Sequence, residues 1–190
     1  MHHNNIKSNE LITSELIEKC KQFDRKAQKE LYDKYSKLML GVCRRYIERH
    51  EEAEDVMIEG FFKIFSQLHQ YQGIGNFEGW MRKIMVNESL MHLRKEHALK
   101  YSNELTVNHL HTDNYDIIAE INSNEILSLL SKLSVGYRTV FNLYVVEGYK
   151  HQEIAEILGI SENTSKTQLM MAKEKMKKLI LEKQNYFKPS

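Results

Sequence analysis

The chain has 190 residues, a formal net charge of +1, 42% apolar residues and a single proline, Pro189. That composition can bury the core of one compact domain or two small ones, which excludes a disordered chain, and no apolar run is long enough to span a bilayer. A charge so near neutral is also unlike that of a stand-alone DNA clamp, which is ordinarily strongly basic.

The opening MHHNNIKSNE lacks the apolar core of a signal peptide, so a cytoplasmic chain is expected, with residues 1–19 an N-terminal extension. Cys20 and Cys43 are isolated and read as buried free thiols. The scattered histidines have no metal-site spacing, so neither a metal nor a cofactor is assigned. Most of the eight glycines fall between periodic apolar segments, leaving long stretches that read as helix. The fold class expected is all-α, with two small helical domains joined by a flexible acidic linker.

The first block spans residues 20–100. Phe23, Ala27, Leu31, Tyr35, Leu38, Val42 and Tyr46 recur at helical spacing, and Val56, Phe61, Phe62, Phe65 and Leu68 mark a second amphipathic helix. Core packing is assigned to at least Phe61 and Phe65. HQYQGIGNFEGW interrupts the pattern with three glycines, a hinge between helices. A further helix over Phe77 to Lys95 has Phe77, Met81, Ile84 and Met91 on one side and Val86, Leu90 and Leu93 on the other. Lys83, Asn87 and Arg94 form a polar stripe between them. Charge is segregated: Glu48 to Glu59 is acidic, whereas Arg82, Lys83, Arg94, Lys95 and Lys100 make the next helix basic. Such territories suit a protein that meets nucleic acid on some faces and a basic protein surface on others; simple solubility accounts for them equally.

Residues 101–123 are polar, asparagine-rich and without lysine or arginine, and read as a linker. The second block covers residues 124–184, with a tail at 185–190. Ile126, Leu129, Leu130 and Leu133 mark one short helix, and Tyr137, Val140, Phe141 and Tyr144 another. YKHQEIAEILGISENTSKTQLMMAKEKMKKL then has the layout of a helix-turn-helix. Ala155 permits close helix crossing, Gly159 ends the first helix in the left-handed conformation, and Ser161 caps the second. Ser165, Leu169, Ala172, Met176 and Leu179 face inward; Asn163, Lys166, Thr167, Met170, Lys173 and Lys177 face out, where a major groove would fit. Six lysines and two glutamates lie between Asn163 and Lys183. Lysines alone read as a solvated face; their combination with the small residue, the turn glycine and the serine cap favours DNA.

Together these segments resemble an extracytoplasmic-function (group IV) RNA polymerase sigma factor of the sigma-70 family. The likeness runs from about Cys20 to Lys183. AEDVMIEGFFKIF at 53–65 resembles the family's polymerase-binding helix, FEGWMRKIMVNESLMHLRK at 77–95 its promoter-melting helix, and LSKLSVGYRTVFNLYVVEGYKHQEIAEILGIS at 130–161 its upstream-element reader. The resemblance implies an alternative sigma factor that binds core RNA polymerase and promoter DNA and opens the strands, with an anti-sigma factor as a further partner and no small-molecule substrate. It implies polymerase contacts at Asp55, Glu59 and Phe62, with Ile58 standing where the family often has a polar residue. For the downstream element and melting it implies Gln70, Tyr71, Gln72, Asn76, Lys83, Asn87, Arg94 and Lys95, with Tyr71 stacking on an extruded base. Phe77 and Trp80 are assigned to core packing ahead of base stacking, and Met91 stands where the family often has an aspartate. Upstream-element contacts are implied at Ser161, Glu162, Asn163, Thr164, Lys166, Thr167, Met170 and Lys173. The linker resembles the segment that threads toward the transcript path, and a plain tether accounts for it equally.

Enzyme motifs are missing from the sequence: it has no phosphate-binding glycine loop, no His-Glu-x-x-His and no serine elbow, so no catalytic residue is assigned. The competing reading is a stand-alone helix-turn-helix regulator that binds duplex DNA by itself, with the first block as a sensor or dimerisation module. A helical adaptor with no DNA role would leave the lysine face and the Gly159 to Ser161 turn unexplained.

Overall fold

Helical periodicity becomes helix throughout both blocks. A computed structural model of the chain describes residues 14–100 and 123–186, which fall into two compact units; among the described residues there is no strand. The fold class is all-α, as the sequence implied. The linker at 101–123 lies outside the described residues except for its last position, as do the tail positions beyond 186.

The first unit comprises α1 (14–21), α2 (Arg25–Arg44), α3 (His50–Gln67), a 3-10 turn (Leu68–Gln70) and α4 (Phe77–Lys100). It begins earlier than the expected boundary at residue 20, because Leu16 and Ile17 are buried on α1 together with Cys20. The link from α1 to α2 is a Schellman turn. The Asp24 N–H donates to the Lys19 carbonyl at 3.2 Å and the Phe23 N–H to that of Cys20 at 3.0 Å. This turn puts Phe23 at φ 60° with its ring 74% exposed, so Phe23 leaves the apolar stripe assigned to it. Asp24 then caps α2 by accepting from Lys26 N at 2.8 Å and Ala27 N at 3.0 Å, and these bonds lower its carboxyl pKa. Within α2 the buried stripe runs through Leu31, Met39, Val42 and Cys43. Leu38, placed on that stripe by spacing, stands in solvent because Met39 takes the inward position.

Helices α3 and α4 cross at Gly60. A Cβ there would run into the Met85 side chain, with Cε at 2.9 Å, so any larger residue obliges the buried Met85 tip to move. Tyr46, Ile64, Leu68, Met81 and Met85 are fully buried around this crossing. Phe61 is buried and Phe65 half-buried, as assigned, whereas Met91 turns out to be exposed rather than core. Cys20 and Cys43 are free, buried thiols, and burial pushes both up to about 11.

The second unit comprises α5 (Ser123–Leu130), α6 (Val135–Phe141), a π-turn (Asn142–Val146), α7 (His151–Leu158) and α8 (Glu162–Tyr186). Leu130, Val140, Leu143, Ile154 and Ala172 form its centre. In the π-turn the Glu147 N–H reaches back five residues to the Asn142 carbonyl at 3.0 Å. The wide turn rotates the faces that follow, which is why Leu143 is buried and Tyr144, assigned inward by spacing, is exposed. Similarly Ile180 is buried where Leu179 was assigned, and Leu179 is half-buried.

Candidate nucleic-acid and protein interfaces

On α3, residues Asp55, Ile58, Glu59 and Phe62 stand at spacings of three, four and seven, so they share one face. All four are exposed, Ile58 at 55% and Phe62 at 79%. The face is therefore two carboxylates flanking two large apolar groups. That pattern suits a basic surface with an apolar centre, since burial of a phenylalanine is worth ~1.5–3 kcal/mol while the charges set register. Asp55, Glu59 and Phe62 were assigned from sequence, where Ile58 was noted as standing in place of a polar residue; its exposure puts it on the same face.

The loop from Gln70 to Asn76 is folded around its own tyrosine. Tyr71 is buried, packed edge-on against Phe77 with centroids 5.0 Å apart and tilted against Trp80 at 5.5 Å. Its hydroxyl donates to the Gly75 carbonyl at 3.0 Å. In this arrangement Tyr71 has no free face for an extruded base: it belongs with Phe77 in the aromatic core beneath the loop. Gly73 and Gly75 have φ of 75° and 81°, which lets the chain double back between them and lift Ile74 out, 81% exposed. Gln70, Gln72 and Asn76 are exposed. Asn76 uses its side-chain oxygen to accept from Glu78 N at 2.9 Å, capping α4, and retains its amide donors. Lys83, Asn87, Arg94 and Lys95 are all exposed on α4, as is Met91 between them. Beside this stripe the half-exposed Lys63 of α3 holds the buried Glu88 of α4 at 2.6 Å, so that carboxylate is neutralised internally.

The helix-turn-helix forms as the sequence predicts. Gly159 ends α7 at φ 67°, and Ser161 Oγ accepts from Thr164 N at 3.0 Å while lying 2.8 Å from Thr164 Oγ1. The hydroxyls of Ser161 and Thr164 are thus engaged in capping. Asn163 and Lys166 are exposed, and Thr167, Met170 and Lys173 are half-exposed on the same side. Glu162 pairs with Lys166 at 2.7 Å, and the lysine lowers the glutamate's pKa. At the start of α7 the Glu153 carboxylate accepts from Lys150 N at 2.7 Å, a helix-entry contact. A contact not assigned from sequence forms here: His151 Nδ1 lies 2.9 Å from Ser165 Oγ, and its ring stacks on Tyr144 at 4.5 Å. The pairing joins residues fourteen apart, so no local spacing rule could find it.

Comparison with known proteins agrees with this two-unit layout. The model of sigma-70 region 2 matches residues 31–98 and that of sigma-70 region 4 matches residues 123–176. The ECF RNA polymerase sigma-E factor of Haemophilus influenzae is 25% identical over 179 residues, covering 87% of this chain and 93% of that protein. RNA polymerase sigma factor SigV of Bacillus subtilis is 28% identical over 132 residues, 70% of this chain and 78% of that protein. Among solved structures, sigma factor RpoE in complex with the anti-sigma factor NepR from Bartonella quintana is similar at a TM-score of 0.49 and 18% identity, covering 80% of this chain and 95% of that one. A stand-alone helix-turn-helix regulator would account for the second match and leave the first without a cause. The chain belongs to the extracytoplasmic-function class of the sigma-70 family and is an alternative RNA polymerase sigma factor.

Proposed function

We propose that the two units divide the work of initiation by residue as follows. Residues 20–100 act as the region 2 domain and residues 124–184 as the region 4 domain. The α3 face of Asp55, Ile58, Glu59 and Phe62 docks on core RNA polymerase, with Phe62 and Ile58 seated in an apolar depression and the carboxylates against cations around it. Gln70, Gln72 and Asn76 hydrogen-bond a base pulled from the stack, and the backbone at Gly73 and Gly75 approaches it closely. Lys83, Asn87, Arg94 and Lys95 follow the adjacent phosphates. Extruding a base costs a few kcal/mol, which these contacts offset. On α8, Asn163, Lys166, Thr167, Met170 and Lys173 enter the major groove of the upstream element, with Glu162 steering Lys166. Ser161 and Thr164 act through the helix start they cap. The chain works in the cytoplasm, carries no catalytic group of its own, and is restrained by an anti-sigma factor.

The observation that carries this reading is the α3 face, where large apolar groups and carboxylates share one solvent-exposed stripe. Binding of the purified chain to sigma-free core RNA polymerase tests it. Tight binding that is lost in Asp55→Lys/Glu59→Lys and weakened at least tenfold in Phe62→Ala is the expected result. Equal binding by all three proteins would remove this face from the interface.

A further inference from the structure

His151 opens α7, and its Nδ1 stands 2.9 Å from Ser165 Oγ on α8. Ser165 is fully buried, about 160° around α8 from the exposed Asn163 and about 100° from the exposed Lys166. The imidazole also stacks on the Tyr144 ring of the π-turn, 4.5 Å between centroids and 25° from parallel. Lys173 reaches back from α8 to 6.0 Å from the same ring. Three consecutive elements, π-turn, α7 and α8, are therefore tied through one histidine.

The two kinds of contact between α7 and α8 do different things. Apolar packing by Ile154, Leu169 and Ala172 sets the distance between the helices but is weakly directional, so it tolerates rotation of α8 about its own axis. A hydrogen bond is directional and weakens steeply off its line. Rotating α8 by about 20° would carry a side-chain tip, at a helix radius of ~5–6 Å, through about 2 Å. That exceeds the tolerance of a hydrogen bond to a base edge. A buried serine hydroxyl also needs a partner, and His151 supplies it.

We propose that His151 is a positioning residue for DNA reading: its bond to Ser165, backed by the stack on Tyr144, fixes the rotation of α8 and so the aim of Asn163, Lys166 and Thr167 at base edges. The inference rests on the reading that α8 enters the major groove.

The test uses the full chain assembled with core RNA polymerase. An upstream element is first selected by the unaltered protein from a randomised library, and the readout is the ratio of affinities for that element and a scrambled one. His151→Phe keeps the stack and loses the bond; Ser165→Ala loses the same bond from the other side; His151→Asn retains a hydrogen-bonding atom near Nδ1. Expected are a three- to tenfold fall in the ratio for the first two, no further fall in the double variant, near-normal discrimination in His151→Asn, and an unchanged salt slope. Thermal unfolding of each variant is followed to exclude a folding defect. An unchanged ratio in folded His151→Phe and Ser165→Ala would overturn the inference, as would an equal loss on selected and scrambled DNA or a loss that His151→Asn fails to rescue. Lys166→Ala and Lys173→Ala separate the two ideas. Each should weaken binding and reduce the salt slope by about 1. If they do so while the His151 and Ser165 variants read normally, only the positioning role falls. If the protein selects no upstream element and the lysine variants have no effect, the DNA reading falls with it.

Discussion

The Tyr71 hydroxyl donates to the Gly75 carbonyl across the loop that precedes α4, so an aromatic residue of the core holds the exposed loop shut from beneath. Two left-handed glycines and the Asn76 cap complete the closure. The loop is thus shaped before any nucleic acid arrives, and the entropy of ordering it is not charged against strand opening.

Tyr71→Phe should therefore separate folding from melting. The ring contacts with Phe77 and Trp80 survive, so the loss in stability is only about 0.5–1.5 kcal/mol. Permanganate reactivity of promoter thymines should fall severalfold while affinity for core polymerase is unchanged. Equal permanganate reactivity in variant and parent would mean that the loop keeps its shape without the bond.

Phe23 occupies a conformation that favours glycine, with its ring in water. Phe23→Gly removes the left-handed cost, about 1–2 kcal/mol, and gives back about 0.5–1 kcal/mol because glycine leaves the unfolded chain more conformational freedom. A net gain of about 0.5–1 kcal/mol in urea unfolding is expected. A destabilised variant would show that the ring contributes packing that its exposure conceals.

Gly60→Ala should act in the opposite sense. A methyl group at this crossing displaces Met85 from a fully buried position. Overpacking costs about 1–3 kcal/mol and outweighs the ~1 kcal/mol gained in helix propensity. A net loss of about 1 kcal/mol is expected in the same urea assay; a gain would mean that Met85 finds another rotamer at little cost.

His151 gives the second unit a dependence on pH. Burial lowers its pKa first, Lys166 and Lys173 lower it further, and Glu162 opposes them; Tyr144 is the remaining titratable group stacked against it. The folded state thus prefers the neutral ring. Its contribution is complete above the unfolded value of about 6.5 and is lost as pH falls through the lower folded value. Hydrogen exchange of α7 and α8 amides, corrected for intrinsic rates, should show protection declining on acidification below about pH 6.5, with a smaller decline in His151→Phe. Identical pH profiles in the two proteins would assign the decline to other groups.

Much of this architecture could be read from the chain because it depends on local pattern. Helix-breaking at Gly159, capping at Ser161 and the inward run from Ser165 to Met176 each rest on residues within a few positions of one another, and all three are found in the structure. Errors gathered where a rule of uniform 3.6-residue spacing meets a local exception. Phe23 is removed from its stripe by a Schellman turn, Tyr144 by a π-turn, and Met39 displaces Leu38 by one position. Among the proposed contact residues, charge and amide side chains pointed outward as expected, because water already dictates that. Tyr71 did not, since an aromatic beside two glycines gives no sign of whether it lines the loop or supports it. Ile74 went unnoticed for the converse reason: an apolar side chain left in water violates the rule by which sequence is read.

The π-turn at Asn142–Val146 has one more implication, for chain length rather than composition. It holds one residue more than the same arc of α-helix would contain. Deleting a single residue there would let the segment tighten into ordinary helix over the same arc, so α7 and α8 would keep their direction while side chains within the turn moved round by about 100°. Tyr144 would swing away from the imidazole, although no contact residue had been altered. The second unit therefore carries a spare residue, and the count of residues between Phe141 and Glu147 sets which side chain is presented to His151.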